Sequence, residues 1–364
     1  MHEMSNLDLN YMIQELQILV DSRLGKIFEI EKNEFRIKLN VPGKGSLDLT
    51  FVLKERLHLT NIIKEAPQEP SNFIMFLRKY FENSRLRAIE QYKFDRIVVF
   101  TLEKEKKYYF IVEMFSKGNV IATDENYKIL NCYRAEEWKD RRIKVKETYK
   151  FPASSKLDPR ELTIELLKDI MEEKYLIACL ANKINLGTLY LEEICLRLGL
   201  NPKKNAKDMT EKEIALLHAA LMQIMHELKP RVYYENNVPL DYSLISLKKY
   251  PNLVVKEFSN LSQALDEFVL IQKPKMPTKK EEKKHSIERK LADQLEHLEE
   301  LELKSAEYKK AGDLIYAHFD TVTGILEVLH QLRKNKKSWQ EIEETLKGKI
   351  VSLDKKSGKL TIEL

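Results

Sequence analysis

Three places in this 364-residue chain combine residue types and settings that could do chemistry: Asp8, the pair Asp95-Arg96, and the step Gly187-Thr188. Asp8 opens an amphipathic segment, where the positive end of a helix dipole stabilises a carboxylate. Asp95-Arg96 stands directly before the strand-like run Ile97 to Phe100. Read locally, that pair is a surface ion pair of small energetic weight. Gly187-Thr188 lies between two helical patterns, and a tight glycine turn there aims unsatisfied N–H groups outward, where phosphate oxygens can accept them. A plain turn between helices is the simpler local reading, but Lys183, Lys203, Lys204 and Lys207 tilt it toward phosphate. A fourth stretch, Phe73 to Arg87, interleaves aromatics with Arg78, Arg85 and Arg87. Its aromatics fall at core spacing, which leaves the three arginines as RNA contacts.

Other constellations are missing from the sequence. Gly43-Lys44-Gly45 sits between two strand patterns, so a hairpin turn is expected there rather than a phosphate loop. Cys132, Cys179 and Cys195 show no CxxC spacing, and the eight histidines form no HExxH. No Ser/His/Asp set or positioned carboxylate pair accompanies the candidates. A binding surface without metal, cofactor or catalytic residues is therefore expected. Lys and Arg number 62 against 57 Asp and Glu, a net charge of +5, so a nucleic-acid surface must be local rather than global. No apolar stretch reaches the roughly 18 to 20 residues that span a bilayer, and MHEMSNLDLN lacks a secretory pattern. The expected setting is the cytoplasm, without membrane contact.

The elements that must position these residues change character along the chain. Leu9, Met12, Ile13, Leu16, Leu19 and Val20 recur at helical spacing, after which Ile27, Phe35 to Leu39 and Leu47 to Phe51 alternate as strands do. A helix is expected from Pro70-Ser71, with Phe73, Phe76, Leu77 and Tyr80 on its buried side, followed by further strands to Leu130 and a basic connector to about 158. Residues 160 to 228 read as helices throughout, with Gly199 ending one and Thr210 to Glu213 capping the next. Ile287, Leu291, Leu295, Leu298 and Leu301 form a coiled-coil seam that requires a partner helix, so self-association through it is a consequence. The organisation is multidomain α+β: a first domain over 1–158, a helical one over 159–229, and short strands and a helix over 230–278. A coiled-coil arm over 279–336 and a short helix with terminal hairpin over 337–364 complete it.

The order of several motifs is more specific than any of them alone: Asn6-Leu7-Asp8-Leu9, Ser22 to Ile27, Pro70 to Arg87, Gln91 to Arg96, Gly118 to Ile121, Leu191 to Cys195 and Ala311 to Ile315. Over nearly the whole chain this series resembles the NFACT family of ribosome-associated quality-control factors, also called fibronectin-binding-protein-A-like proteins. The resemblance implies a domain similar to formamidopyrimidine-DNA glycosylases, then a helix-hairpin-helix domain, then a long coiled-coil helix. It implies binding to a large ribosomal subunit obstructed by a nascent chain on peptidyl-tRNA. It also implies recruitment of tRNA, commonly alanyl-tRNA, for C-terminal tailing without mRNA. Asp8, Asp95 and Arg96 match family residues linked to tRNA handling. Two departures stand out. A glycosylase/lyase, the rival reading, would need a reactive N-terminal proline, and the chain begins Met1-His2-Glu3. Family members also continue into a returning helix and an RNA-binding domain, whereas this sequence ends at Leu364.

Overall fold

The computed structural model describes residues 3–138, 141–153, 156–272, 294, 298, 301, 305, 308–335, 337–346, 352–354 and 359–362. They belong to two compact units, Met1–Pro274 and Lys275–Leu364.

In the first unit, helix α1 (Asn6–Glu15) buries Leu7, Leu9, Met12 and Ile13, and a 3-10 turn (Leu16–Leu19) leads into the strands. Strands β1 (Arg23–Glu31), β2 (Glu34–Val41), β3 (Gly45–Val52) and β4 (Arg56–Thr60) form one antiparallel meander. Gly43 and Gly45 turn the chain between β2 and β3 at φ 73° and 80°, so this Gly-rich step is a hairpin as expected. Strands β5 (Arg85–Gln91), β6 (Ile97–Glu103), β7 (Lys107–Glu113), β8 (Asn119–Asp124) and β9 (Ile129–Cys132) form a second meander. The two join in a nine-stranded sheet where β1 meets β5 at Arg23 and Arg85, and the N–H groups of Asp21, Leu86, Leu24 and Asn83 donate across the join to the carbonyls of Leu86, Ser22, Ser84 and Leu24. Side chains add to the join: Phe51 meets Phe110 edge-on at 6.3 Å, and Phe35 meets Tyr133 at 5.0 Å. The two lobes thus share one apolar interior.

Helix α2 (Asn72–Phe81) is N-capped by Ser71 and buries Ile74, Leu77 and Phe81. Phe73, Phe76 and Tyr80, expected on the buried side, are only partly covered, because the stripe is rotated toward Phe81. The supposed connector after β9 is a cover. It makes a small hairpin, β10 (Glu136–Glu137) with β11 (Arg142–Ile143), and lays Ile143 and Tyr149 on Ile97, Val99, Ile111 and Ile121. Both faces of β6 are therefore buried, which explains the unbroken apolar run Ile97 to Phe100.

Four helices follow: α3 (Ile164–Asp169), α4 (Leu176–Lys183), α5 (Thr188–Leu198) and α6 (Glu211–Ile224). Gly199 terminates α5 in the left-handed conformation, and Thr210 with Glu213 forms a capping box on α6. A three-stranded sheet of β12 (Arg231–Glu235), β13 (Val238–Ser243) and β14 (Val254–Glu257), in the order β13-β12-β14, precedes helix α7 (Leu261–Gln272). One continuous core runs from Met4 to Phe268, so the divisions expected at 158 and 229 fall inside a single packed unit.

In the second unit residues 308–317 are helical, followed by helices Phe319–Lys334 and Trp339–Thr345 and the hairpin strands Ser352–Asp354 and Lys359–Thr361. Ile325, Ile342 and Leu346 pack together beside Leu329, Leu332 and Trp339. Of the expected seam, Ile287, Leu291 and Leu295 lie outside the described residues, while Leu298 and Leu301 are helical and 50% and 47% exposed. Among the described residues no helix is long and apolar enough to cross a membrane.

Helix α7 is fixed by polar groups at both ends of its docking face. The Glu15 carboxylate accepts the Leu261 and Ser262 N–H groups at 2.8 and 3.2 Å, capping the helix from outside. Asp266 accepts from Thr60 Oγ1 at 2.7 Å, from Asn61 N at 2.9 Å and from His58 Nε2 at 3.2 Å. An ionised Asp266 only accepts, so the proton sits on Nε2, leaving buried Nδ1 without a partner. Charging the ring would place an unaccepted N–H in the interior. Burial therefore pushes His58 below its ordinary value of 6.5, against the pull of Asp266. Unfolded His58 takes up a proton below about pH 6.5 that native His58 resists, so stability falls as pH drops through that value. Asp266, held low by His58, Asn61 and Thr60 despite its burial, adds a further loss below its ordinary 3.8. The urea midpoint of the wild type is expected to drop between pH 7 and 5. His58→Gln, which keeps a donor but does not titrate, should flatten that slope, and an unchanged slope would assign it to other groups.

Candidate nucleic-acid interface

Asp8 lies at the third position of α1, where Ser5 caps the helix. Ser5 N–H donates to Asp8 Oδ2 at 2.8 Å and Asp8 N–H donates to Ser5 Oγ at 3.1 Å. The other carboxylate oxygen accepts the hydroxyl of Tyr190, from helix α5, and that hydroxyl in turn accepts the Leu244 N–H at 3.2 Å. Asp8 and Tyr190 are both fully buried. Burial and the adjacent carboxylate hold the Tyr190 hydroxyl far above its usual range, so it stays a donor. Expected as a contact to RNA, Asp8 is instead the internal tie between α1, α5 and the end of β13. It positions the surface and does not form it.

The turn between α4 and α5 lands against the start of α1. Gly187 adopts φ 112°, ψ 137°, and a Cβ there would lie 2.6 Å from Ser5 Cβ. Only glycine satisfies both the backbone and the approach. Among the described residues no side chain caps α5 at Gly187, which leaves its first amides to an outside acceptor. Two helix N-termini consequently open side by side, with Ser5, Asn6, Gly187 and Thr188 lining one cleft of about 710 Å³.

Asp95 and Arg96 line the same cleft. Their corner is made by Lys93 and Phe94 at φ 44° and 54°, with Phe94 buried as an anchor. Gln91 clips the corner to α1, since its side-chain amide donates to the carbonyls of Asn6 and Asp95, both at 3.0 Å, and accepts from Asn10 at 2.9 Å. Asp95 Oδ1 accepts the Arg96 N–H at 2.7 Å. The Arg96 guanidinium reaches the mouth, 22% exposed, and donates to Glu3 Oε2 at 2.8 Å. Arg96, with Lys54, in turn holds Glu3 below the usual carboxylate range against a desolvation that raises it. Lys156 and Lys249 also line the cleft, as does Glu192, so its walls carry three charges of each sign.

The remaining expected residues sit elsewhere. Arg85 and Arg87 share Asp21, at 3.1 and 2.9 Å, and Arg87 also binds Glu103. They lie at the start of β5, roughly 20 Å of strand away from Asp95. Arg78 donates to the Ile27 carbonyl at 2.9 Å and stacks over Phe28. Lys183 pairs with Glu172 at 2.6 Å and Lys204 with Glu213 at 2.7 Å, while Lys203 is exposed; none of the three lines the cleft. Sequence reasoning missed Glu3, Gln91, Lys156, Tyr190 and Lys249. Gln91 stood inside the motif Gln91 to Arg96, which was the available signal. Among the described residues no group of three His, Cys, Asp or Glu could hold a metal ion.

Gly187→Ala is expected to cost about 2 kcal/mol or more, from strained φ plus the clash with Ser5. Tyr190→Phe, which removes a donor from buried Asp8 and an acceptor from Leu244, should cost about 1–3 kcal/mol. Urea unfolding measures both, and losses below about 0.5 kcal/mol would mean that the contact relaxes freely.

The family described as NFACT N-terminal and middle domains matches residues 5–362. The Archaeal Rqc2 homolog aRqcH of Methanocaldococcus jannaschii is 32% identical over 392 aligned residues, 100% of this chain and 58% of that protein. The ribosome quality control complex subunit NEMF of Homo sapiens is 26% identical over 379 residues, 93% of this chain and 35% of that one. The chain thus spans little more than half the length of one relative and about a third of the other. A Staphylococcus aureus structure named as fibrinogen binding protein superposes with TM-score 0.61 at 21% identity, covering 72% of this chain and 98% of that one. The N-terminal part of the fibronectin/fibrinogen-binding protein of Streptococcus suis gives 0.58 at 22%, covering 73% and 98%. At these identities the two structures establish a shared mixed α/β fold. The matched residues and the extent of the archaeal similarity together place this chain in the NFACT family.

Proposed function

We propose that the chain is a ribosome-associated quality-control factor that acts by holding RNA rather than by catalysis. In this reading it binds the obstructed large ribosomal subunit carrying peptidyl-tRNA and recruits tRNA, commonly alanyl-tRNA, for mRNA-independent tailing of the stalled chain. Relatives named as ribosome quality control subunits support the process. The observation that carries the RNA part is one cleft in which Arg96 and the uncapped start of α5 face the same space. A guanidinium and free helix-end amides suit a phosphate oxygen and read no base. The α4-turn-α5 unit serves as the helix-hairpin-helix grip, and Glu3 and Asp95 limit binding to ligands that supply more than one phosphate. The arm beyond 274 would reach along the subunit or pair with a second copy. A cytoplasmic location fits this role.

Filter binding with tRNA across a salt series tests the reading. Affinity should fall steeply with salt, by about 0.7–0.9 in log–log slope per phosphate contact. Arg96→Ala should lower affinity about tenfold and reduce the slope by about one contact, with unfolding unchanged. Absence of binding at low salt, or an Arg96→Ala variant equal to wild type, would remove tRNA from the cleft. Sedimentation with purified large subunits bearing peptidyl-tRNA tests the ribosomal part, and failure to co-sediment would remove it.

A further inference from the structure

Four half-buried aromatic rings beside the cleft form an unbroken ladder. Tyr109 and Tyr127 stack with centroids 4.3 Å apart and planes 6° from parallel. Tyr127 meets Phe151 edge-on at 5.6 Å, and Phe151 stacks on Tyr92 at 3.8 Å. The rings lie over the outer face of the second meander, against its satellite core. At each end the last ring face is covered by a lysine: Lys93 Nζ is 5.5 Å from the Tyr92 centroid and Lys107 Nζ is 5.2 Å from that of Tyr109. The Tyr92–Phe151 end of the ladder adjoins the cleft through the chain. Asp95 N–H donates to the Tyr92 carbonyl at 2.7 Å, and Pro152, next to Phe151, lines the cleft wall.

Both ends of the ladder are closed by exposed, flexible ammonium groups. An exposed ammonium over a ring is held more weakly than a stacked nucleobase, so a base can take its place. The displaced lysine keeps its charge and can neutralise the phosphate that comes with the base. Exposed Lys128 and Lys150 are the chain neighbours of Tyr127 and Phe151, and the Glu90 charge acts on the Tyr127 hydroxyl. Asp124 accepts the Lys128 N–H at 2.9 Å and Glu103 pairs across the sheet with Lys107, so lysines and carboxylates alternate along the ladder.

We propose that this ladder is a stacking site for unpaired bases of an RNA strand leaving the cleft, one on the end face of Tyr92 in place of Lys93 and one on that of Tyr109 in place of Lys107. It deepens the reading of the cleft as an RNA interface and rests on it.

Fluorescence anisotropy with a labelled twelve-nucleotide oligoadenylate, and with the same strand in duplex, tests it on the full chain. The double variant Tyr92→Leu, Tyr109→Leu should weaken single-strand binding by tenfold or more with the salt slope unchanged, and leave duplex binding as it was. Tyr92→Phe with Tyr109→Phe keeps the rings and should stay within about twofold of wild type. Lys93→Gln with Lys107→Gln is a surface change that preserves folding and should lower the salt slope by about 1.4. A leucine pair that binds like wild type while Arg96→Ala weakens would overturn the ladder and keep the cleft. The reverse pattern would keep the ladder and overturn the cleft, and a wild type that binds tRNA but no oligoadenylate at low salt would overturn the ladder alone. If the leucine pair loses its near-ultraviolet circular dichroism, the lysine pair decides, and an unchanged slope overturns the proposal. A phenylalanine pair as weak as the leucine pair would assign binding to the hydroxyl groups and overturn stacking.

Discussion

A single buried carboxylate holds the cleft together. Asp8 ends up with donors from Ser5 and Tyr190, and Tyr190 carries the link on to Leu244. Charges of this kind are costly to bury unless every lone pair is met, so the three segments must arrive in register or not at all. The same register lets Gly187 lie against Ser5. From that contact follow the paired helix starts and their common opening with Arg96. The surface is a by-product of an interior requirement, which is why the residue most central to it never reaches the solvent.

The balance of charge inside the opening matters as much as its shape. Arg96 is partnered by Glu3, and neither is deeply buried, so the pair is weak and exchangeable. In the proposed reading an incoming phosphate must outcompete a carboxylate that the protein itself supplies. A small anion gains little from that exchange, whereas a polyanion touching several cations at once gains at each. Selectivity for a chain of phosphates over free phosphate can thus arise without a deep pocket.

Local pattern made much of this legible and distance made the rest invisible. The helical spacing from Leu9, the alternation from Phe35, the hairpin at Gly43 and the caps at Gly199 and Thr210 each depend on neighbours in sequence, and each element formed where those neighbours indicated. Asp95-Arg96 and Gly187 were visible as candidates for the same reason. Tyr190 was not, because its partner lies 182 residues away and nothing in Leu189-Tyr190-Leu191 distinguishes it from a core tyrosine. Residues from about 133 to 158 read as a basic connector because Arg and Lys dominate them and their apolar groups Ile143, Tyr149 and Phe151 are widely spaced, and only the sheet shows what those three cover. Arg85 and Arg87 read as RNA contacts because sequence shows their charge but not the Asp21 they share.

The join at Arg23 and Arg85 has a consequence for how the molecule comes into being. Every other strand pair in the nine-stranded sheet links chain neighbours through a turn, so each meander can zip up from its own hairpins with little loop entropy to overcome. Residues 23–60 need nothing from later in the polypeptide to reach their ladder, and residues 85–132 need nothing from earlier. Joining the halves then pairs Asp21 to Leu24 with Asn83 to Leu86 through backbone hydrogen bonds and brings Phe35 and Phe51 onto Tyr133 and Phe110. A protein built this way has strand ladders that are local to each half but an interior common to both, so neither half is closed until the segments that complete the shared core have been made.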